Sequence, residues 1–150
     1  MSIGYRLTLA GDVPLEEVAV LAAPEATEKL GYSGERVFSA ALNEERGYVV
    51  DISAGRDGYY DAEDDGGVPW VWEPDTYVDV DFFMVKDDLV DKGIPNMLAA
   101  VTRVLAGTTA DAALVFDGNV VVLTRVAGKI HKRDAAAHYD TTYGAILPST

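Results

Sequence analysis

Two carboxylates on one face of one strand are the smallest unit that could do acid–base work, and Asp79 and Asp81 form such a pair. Two residues apart in an alternating run, they would stand about 6.6–6.8 Å from each other along the strand. Carboxylates at such a separation could flank a glycosidic bond or share a metal. Asp51 could join them from a neighbouring strand. No sugar platform or third ligand type accompanies them, so the pattern points to a solvent-facing stripe used for structure or binding, paired with Arg6 or Arg125.

Other candidate motifs are incomplete. Asp61-x-Glu63-x-Asp65-Gly66 imitates the first half of a calcium loop, with glycine at the position where a tight turn needs it. The second half fails, because Trp72 stands where the bidentate acid belongs and no helix is predicted on either side. We expect a solvated acidic loop and no bound calcium. His131 and His138, with Asp134 and Asp140, could make a small metal site, but their spacing is not that of a zinc helix. The polar segment around them predicts exposed side chains and no zinc. Gly31-Tyr32-Ser33-Gly34-Glu35 departs from a nucleophile elbow at its fifth residue and lies on a helix-to-strand link, the wrong context. There is no phosphate loop or dinucleotide fingerprint, and no cofactor is implied.

The charge distribution is more informative. Residues 57–91 carry twelve carboxylates against one base, Lys86, within a chain of net charge -13. A field so concentrated repels nucleic acid and anionic membrane and attracts a cationic partner. Tyr59, Tyr60, Trp70, Trp72 and Tyr77 interleave with these acids. Aromatic side chains supply binding anchors, and carboxylates around them steer a basic partner. Trp70 and Trp72 could equally pack the loop onto the sheet, since Trp is highly buried on average. The candidate partner-binding residues are therefore Tyr59, Tyr60, Asp61, Glu63, Asp64, Asp65, Trp70, Trp72, Asp79 and Asp81.

The elements that must position these groups follow from hydrophobic periodicity. Residues 3–9 alternate strictly, with Ile3, Tyr5, Leu7 and Leu9 on one face. Pro14 opens a helix whose first turn holds Glu16 and Glu17, and Pro24 starts a second short helix closed by Gly31. Strands are predicted over 35–42 and 46–53, joined at Asn43-Glu44-Glu45. A long Gly- and Asp-rich loop runs over 54–69; loops of that length are commonly functional or mobile. Residues 77–85 form the clearest strand, with Val78, Val80, Phe82 and Met84 inward. The main helix runs from Pro95 to about residue 106, with Gly107 as its C-terminal cap. Residues 112–116 and 120–126 flank Asp117-Gly118-Asn119, a strong hairpin signal. Residues 128–142 are polar and unpatterned, and 143–147 would add a last short strand.

The resulting order, β-α-β-β-β-α-β-β, predicts a single α+β domain, mainly antiparallel, with helices packed on one face. At 150 residues and 49% hydrophobic content the chain can build a core. The absence of cysteine removes disulfides, thiolate metal sites and acylated anchors, and fits a reducing cytoplasm. The start of the chain reads as a strand and not as a signal peptide.

The opening strand Ile3-Gly4-Tyr5-Arg6-Leu7-Thr8-Leu9, the strand 78–83 and the hairpin from Ala113 through Asp117-Gly118-Asn119 to Arg125 resemble the Sit-type immunity proteins. The resemblance implies a small cytoplasmic bacterial protein that neutralises a cognate toxin by binding, with no catalytic residues to carry over. The leading reading is thus a stoichiometric inhibitor whose surface from Asp57 to Asp91 docks a basic toxin. A second is a metal-dependent or carboxylate-based hydrolase using Asp51, Asp79, Asp81 and His131. A third is an oligomeric structural or regulatory subunit.

Overall fold

The computed structural model describes residues 3–139 and 142–148. The alternating segments become strands of one ten-stranded sheet. They are β1 (Ile3–Ala10), β2 (Thr27–Leu30), β3 (Arg36–Leu42), β4 (Tyr48–Arg56) and β5 (Tyr60–Glu63), then β6 (Pro69–Trp72), β7 (Thr76–Met84), β8 (Ala112–Phe116), β9 (Val120–Val126) and β10 (Lys129–Lys132). Along the sheet the order is β2-β3-β4-β7-β1-β8-β9-β5-β6, with β10 also on β9. All of these neighbours are antiparallel except β5 and β9, which touch through one parallel pair, Glu63 with Val120. The fold is α+β, as its periodicity predicts.

Period two gives each strand two faces. Tyr5, Leu7 and Leu9 of β1 are buried on the same side as Val78, Val80 and Phe82 of β7 and Tyr48, Val50 and Ile52 of β4. Helix α1 (Leu15–Ala22) and helix α3 (Ile94–Gly107) close this core with Val18, Ala19, Met97, Leu98, Val101 and Val104. Among the described residues no helix is long and apolar enough to cross a membrane.

Several expectations are corrected. Residues 24–31 hold strand β2 and not a second helix. Thr27-Glu28-Lys29-Leu30 is exposed throughout and offers no apolar stripe, so pairing with β3 satisfies its backbone where a short unsupported helix would not persist. The link at 43–45 is a one-turn helix, α2 (Asn43–Arg46), closed by Gly47 at φ 85°. A Cβ on Gly47 would also sit 2.9 Å from the Gly93 backbone nitrogen. Residues 143–147 make a helical turn at Thr142–Ala145 and no strand, while the unpatterned segment before them supplies β10. The β9–β10 turn places Ala127 at φ 51° and Gly128 at φ 81°. Asp111 steadies it by accepting the Ala127 N–H at 2.9 Å.

Gly107 ends α3 for a different reason than expected. It is outside the left-handed region, and a Cβ there would lie 2.7 Å from the Leu21 side chain. It is small so that α1 can approach. Arg125 serves the helix end instead, donating to the carbonyls of Leu105 (2.5 Å) and Ala110 (2.9 Å) and to Thr108 Oγ1 (3.0 Å). It is therefore not the partner of Asp79 or Asp81.

Half of the expected loop over 54–69 is strand. β4 runs on to Arg56, and β5 and β6 form an antiparallel hairpin. Tyr60 and Ala62 face the protein while Asp61 and Glu63 face water. The acids dilute the apolar signal to two positions per strand, which is why the segment reads as a loop.

Candidate functional site

The helices cover one face of the sheet; the β5–β6 hairpin lies against the other. Its inner side chains define how it sits. Ala62 and Trp70 pack on Val115 of β8 and Val121 of β9. The Tyr60 hydroxyl donates to Asp79 of β7 at 3.0 Å. An aromatic row runs beside this bond: Trp70 to Trp72 at 5.8 Å, Trp72 to Tyr60 at 5.8 Å, and Tyr60 to Tyr77 at 6.1 Å. Both tryptophans are half-buried, so much of their surface is spent on packing.

Sheet register explains the acids beneath. Arg6 of β1 stands opposite Asp81 of β7, which stands opposite Asp51 of β4, which stands opposite Ser39 of β3. Arg6 Nε donates to Asp81 at 2.6 Å and lies 3.7 Å from Asp79. Ser39 donates to Asp51 at 2.6 Å. Asp79 is only 7% exposed, which corrects the expectation of a solvent-facing stripe. The hairpin covers it, and Thr8 and Tyr60 donate to its carboxylate. Burial pushes the Asp79 carboxyl above its ordinary range, and the Asp81 charge adds to this; the Thr8 bond, the Arg6 charge and the Tyr60 bond oppose it. Burial and the Asp79 charge hold the Tyr60 hydroxyl well above its usual range, with the Thr8 bond pulling the other way.

The remaining candidates divide by role. Asp64 closes the hairpin turn: its carboxylate accepts the N–H groups of Gly66 and Val68, each at 2.9 Å. That geometry accounts for Gly66 of the half calcium motif but not for its acids, because the carboxylate that holds the turn belongs to Asp64, one of the motif's unspecified positions. The Asp65 backbone N–H donates to the Arg133 carbonyl at 2.9 Å, tying the turn to the segment after β10. Asp61, Glu63 and Tyr59 are exposed, with Tyr59 and Asp61 at the rim of a cleft. Among the described residues no three His, Asp or Glu side chains gather as metal ligands.

The two histidines part company. His131 is exposed on β10, as expected. His138 is buried, against expectation, with Nδ1 3.0 Å from Asp134 and Nε2 3.0 Å from the Tyr5 hydroxyl. Nδ1 donates to the carboxylate, which leaves Nε2 to accept from tyrosine. This network pins the segment after β10 to β1. Asp140 lies outside the described residues.

Between the hairpin and the sheet is an open cleft of about 830 Å³, lined by Arg6, Tyr59, Asp61, Asp81, Phe83 and Asp117 among others. Asp117 and Gly118 take φ 50° and 74°, the turn that the Asp-Gly signal predicts. Asp117 then grips β1, accepting the Gly4 N–H at 2.8 Å. The alternation of β7 puts Phe83 on this face, but the cleft itself is not visible in the sequence, because its walls come from four separate segments. What the arrangement offers is a surface of exposed acids and half-covered rings. Asp79 and Asp81 are engaged by Arg6, Thr8 and Tyr60.

A family model, SitI3-like, matches residues 3–142. No curated protein and no solved structure gives a significant match. The match covers the sheet, both long helices and the acidic hairpin, and agrees with the resemblance carried by β1, β7 and the β8–β9 hairpin: the chain belongs to the SitI3-like family of Sit-type immunity proteins.

Proposed function

We propose that this chain is an immunity protein that neutralises a cognate, basic protein toxin in the cytoplasm by stoichiometric binding, without chemistry of its own. Family membership supports the reading. The observation that carries it is the second sheet face, which holds a hairpin presenting Asp61, Glu63 and Tyr59 to solvent beside half-buried Trp70 and Trp72. Carboxylates steer a cationic partner during encounter, and the rings supply apolar contact once it docks. The two carboxylates that could support hydrolysis, Asp79 and Asp81, are committed to neighbours in the sheet, which favours binding over catalysis.

The test is to read the genes beside this one for a toxin-like frame and to co-express that frame with the chain. The reading expects cell survival, with both proteins recovered as one complex. Death of the cells despite abundant folded protein would refute it.

A further inference from the structure

Resting on the immunity reading, we propose that the cleft between the hairpin and the sheet receives an arginine carried at the tip of a loop of the partner. Its volume, about 830 Å³, falls within the roughly 300–1,000 Å³ of ligand sites and exceeds the needs of one side chain, so it suits a turn with its projecting residue. Two aromatic walls are open to solvent, Tyr59 at 62% and Phe83 at 47% exposure. Three carboxylates, Asp61, Asp81 and Asp117, line the same space. The cation among them, Arg6, is engaged by Asp81 at 2.6 Å with Asp79 3.7 Å away. Asp117 spends one oxygen on the Gly4 N–H, and both Asp117 and Asp61 are exposed. The cleft is thus left net negative with two ring faces uncovered. A guanidinium is planar and weakly hydrated, stacks on aromatic faces and donates in a fork to carboxylates. An ammonium matches the charge and not the faces, and an anionic group would meet repulsion.

The probe is the peptide acetyl-Gly-Arg-Gly-amide, with the citrulline peptide as its neutral isostere, titrated into isotopically labelled protein and followed by NMR. Saturable shifts are expected at residues 4–6, 59–62, 83 and 117–119, with the citrulline peptide at least about tenfold weaker. The Asp61→Asn/Asp117→Asn variant should lose at least about tenfold in affinity. Asn keeps the acceptor for Gly4 and tolerates the positive φ at 117, so the turn survives. Glu17→Gln/Glu45→Gln, exposed acids on α1 and α2 that do not line the cleft, should change nothing. Equal binding of citrulline, or equal weakening by both double variants, would overturn the cleft and leave only a diffuse field. Survival with the adjacent toxin separates the two claims. Full protection by the Asp61→Asn/Asp117→Asn variant sinks the cleft and spares the immunity reading. A cleft that takes the peptide in a chain that gives no protection sinks the immunity reading.

Discussion

Removing one hydroxyl should loosen the acidic hairpin without unfolding the protein. Tyr60→Phe keeps the ring and its contacts with Trp72 and Tyr77 but deletes the bond to Asp79 at 3.0 Å. A hydrogen bond to a charged acceptor is worth about 1.5–3 kcal/mol, and a neutral one about 0.5–1.5 kcal/mol. The cost should therefore lie in the upper range at pH values above the raised Asp79 pKa, where the acceptor is charged. Because burial raises the Asp79 pKa, the folded chain holds its proton where the unfolded chain has lost it. The contribution of Asp79 to stability is then fullest below the ordinary carboxylate range and falls as pH rises through the raised value. Losing the Tyr60 bond raises that value further, so the variant should lose stability more steeply with pH and the penalty should shrink toward pH 4. The loss falls on the hairpin, whose strand pairing with the rest of the sheet is a single parallel pair, supplemented by the Asp65–Arg133 backbone bond and the packing of Ala62 and Trp70. An open-state population should grow roughly ten- to hundredfold for that energy. The only two tryptophans, Trp70 and Trp72, both lie on β6, so their fluorescence reports the hairpin while circular dichroism reports the whole fold. In urea the fluorescence transition of Tyr60→Phe should precede the dichroism transition. Coincident transitions, or the same penalty at pH 4 and 7.5, would refute the latch.

Three further outcomes follow from the same geometry. Asp61→Lys/Glu63→Lys, exposed on β5, should slow association with the toxin and flatten its salt dependence, with stability changed by less than about 0.5 kcal/mol; stopped-flow mixing and a thermal melt check both. His138→Ala strands Tyr5 and Asp134 in the interior and should cost about 2–6 kcal/mol by denaturant unfolding, since each buried orphan costs about 1–3 kcal/mol. Gly107→Ala should be destabilising by at most about 2 kcal/mol, since the overpacking of its Cβ on the Leu21 methyl at 2.7 Å costs about 1–3 kcal/mol against a helix-propensity gain of about 1 kcal/mol, and Leu21→Ala in the same chain should erase the overpacking.

The sequence made some elements plain and hid others, for physical reasons. β1, β7 and the β8–β9 hairpin alternate without interruption, and α3 carries a full apolar stripe, so local pattern and tertiary demand agree. β5 and β6 also alternate, but only Tyr60 with Ala62 and Trp70 with Trp72 mark the inner side, and the acids between them mimic a loop. β2 has no buried residue and exists because β3 needs a neighbour. The sequence offered Arg6 and Arg125 alike as partners of Asp79 and Asp81; only the pairing of β1 with β7 selects Arg6. The burial of Asp79 was not legible, since it depends on the hairpin lying over it. His138 looked exposed because its cover comes from Tyr5, 133 residues away.

The central claim is that protection comes from binding, one chain to one toxin. Titrating a fixed amount of purified toxin with the chain, and measuring residual toxin activity after equilibration, tests it directly. Activity should fall linearly and reach its floor at one equivalent, with no further decline on longer incubation. Inactivation that continues with time at a small fraction of an equivalent would reveal turnover, and undiminished activity at excess would show that this family member does not bind the toxin; either result contradicts the account.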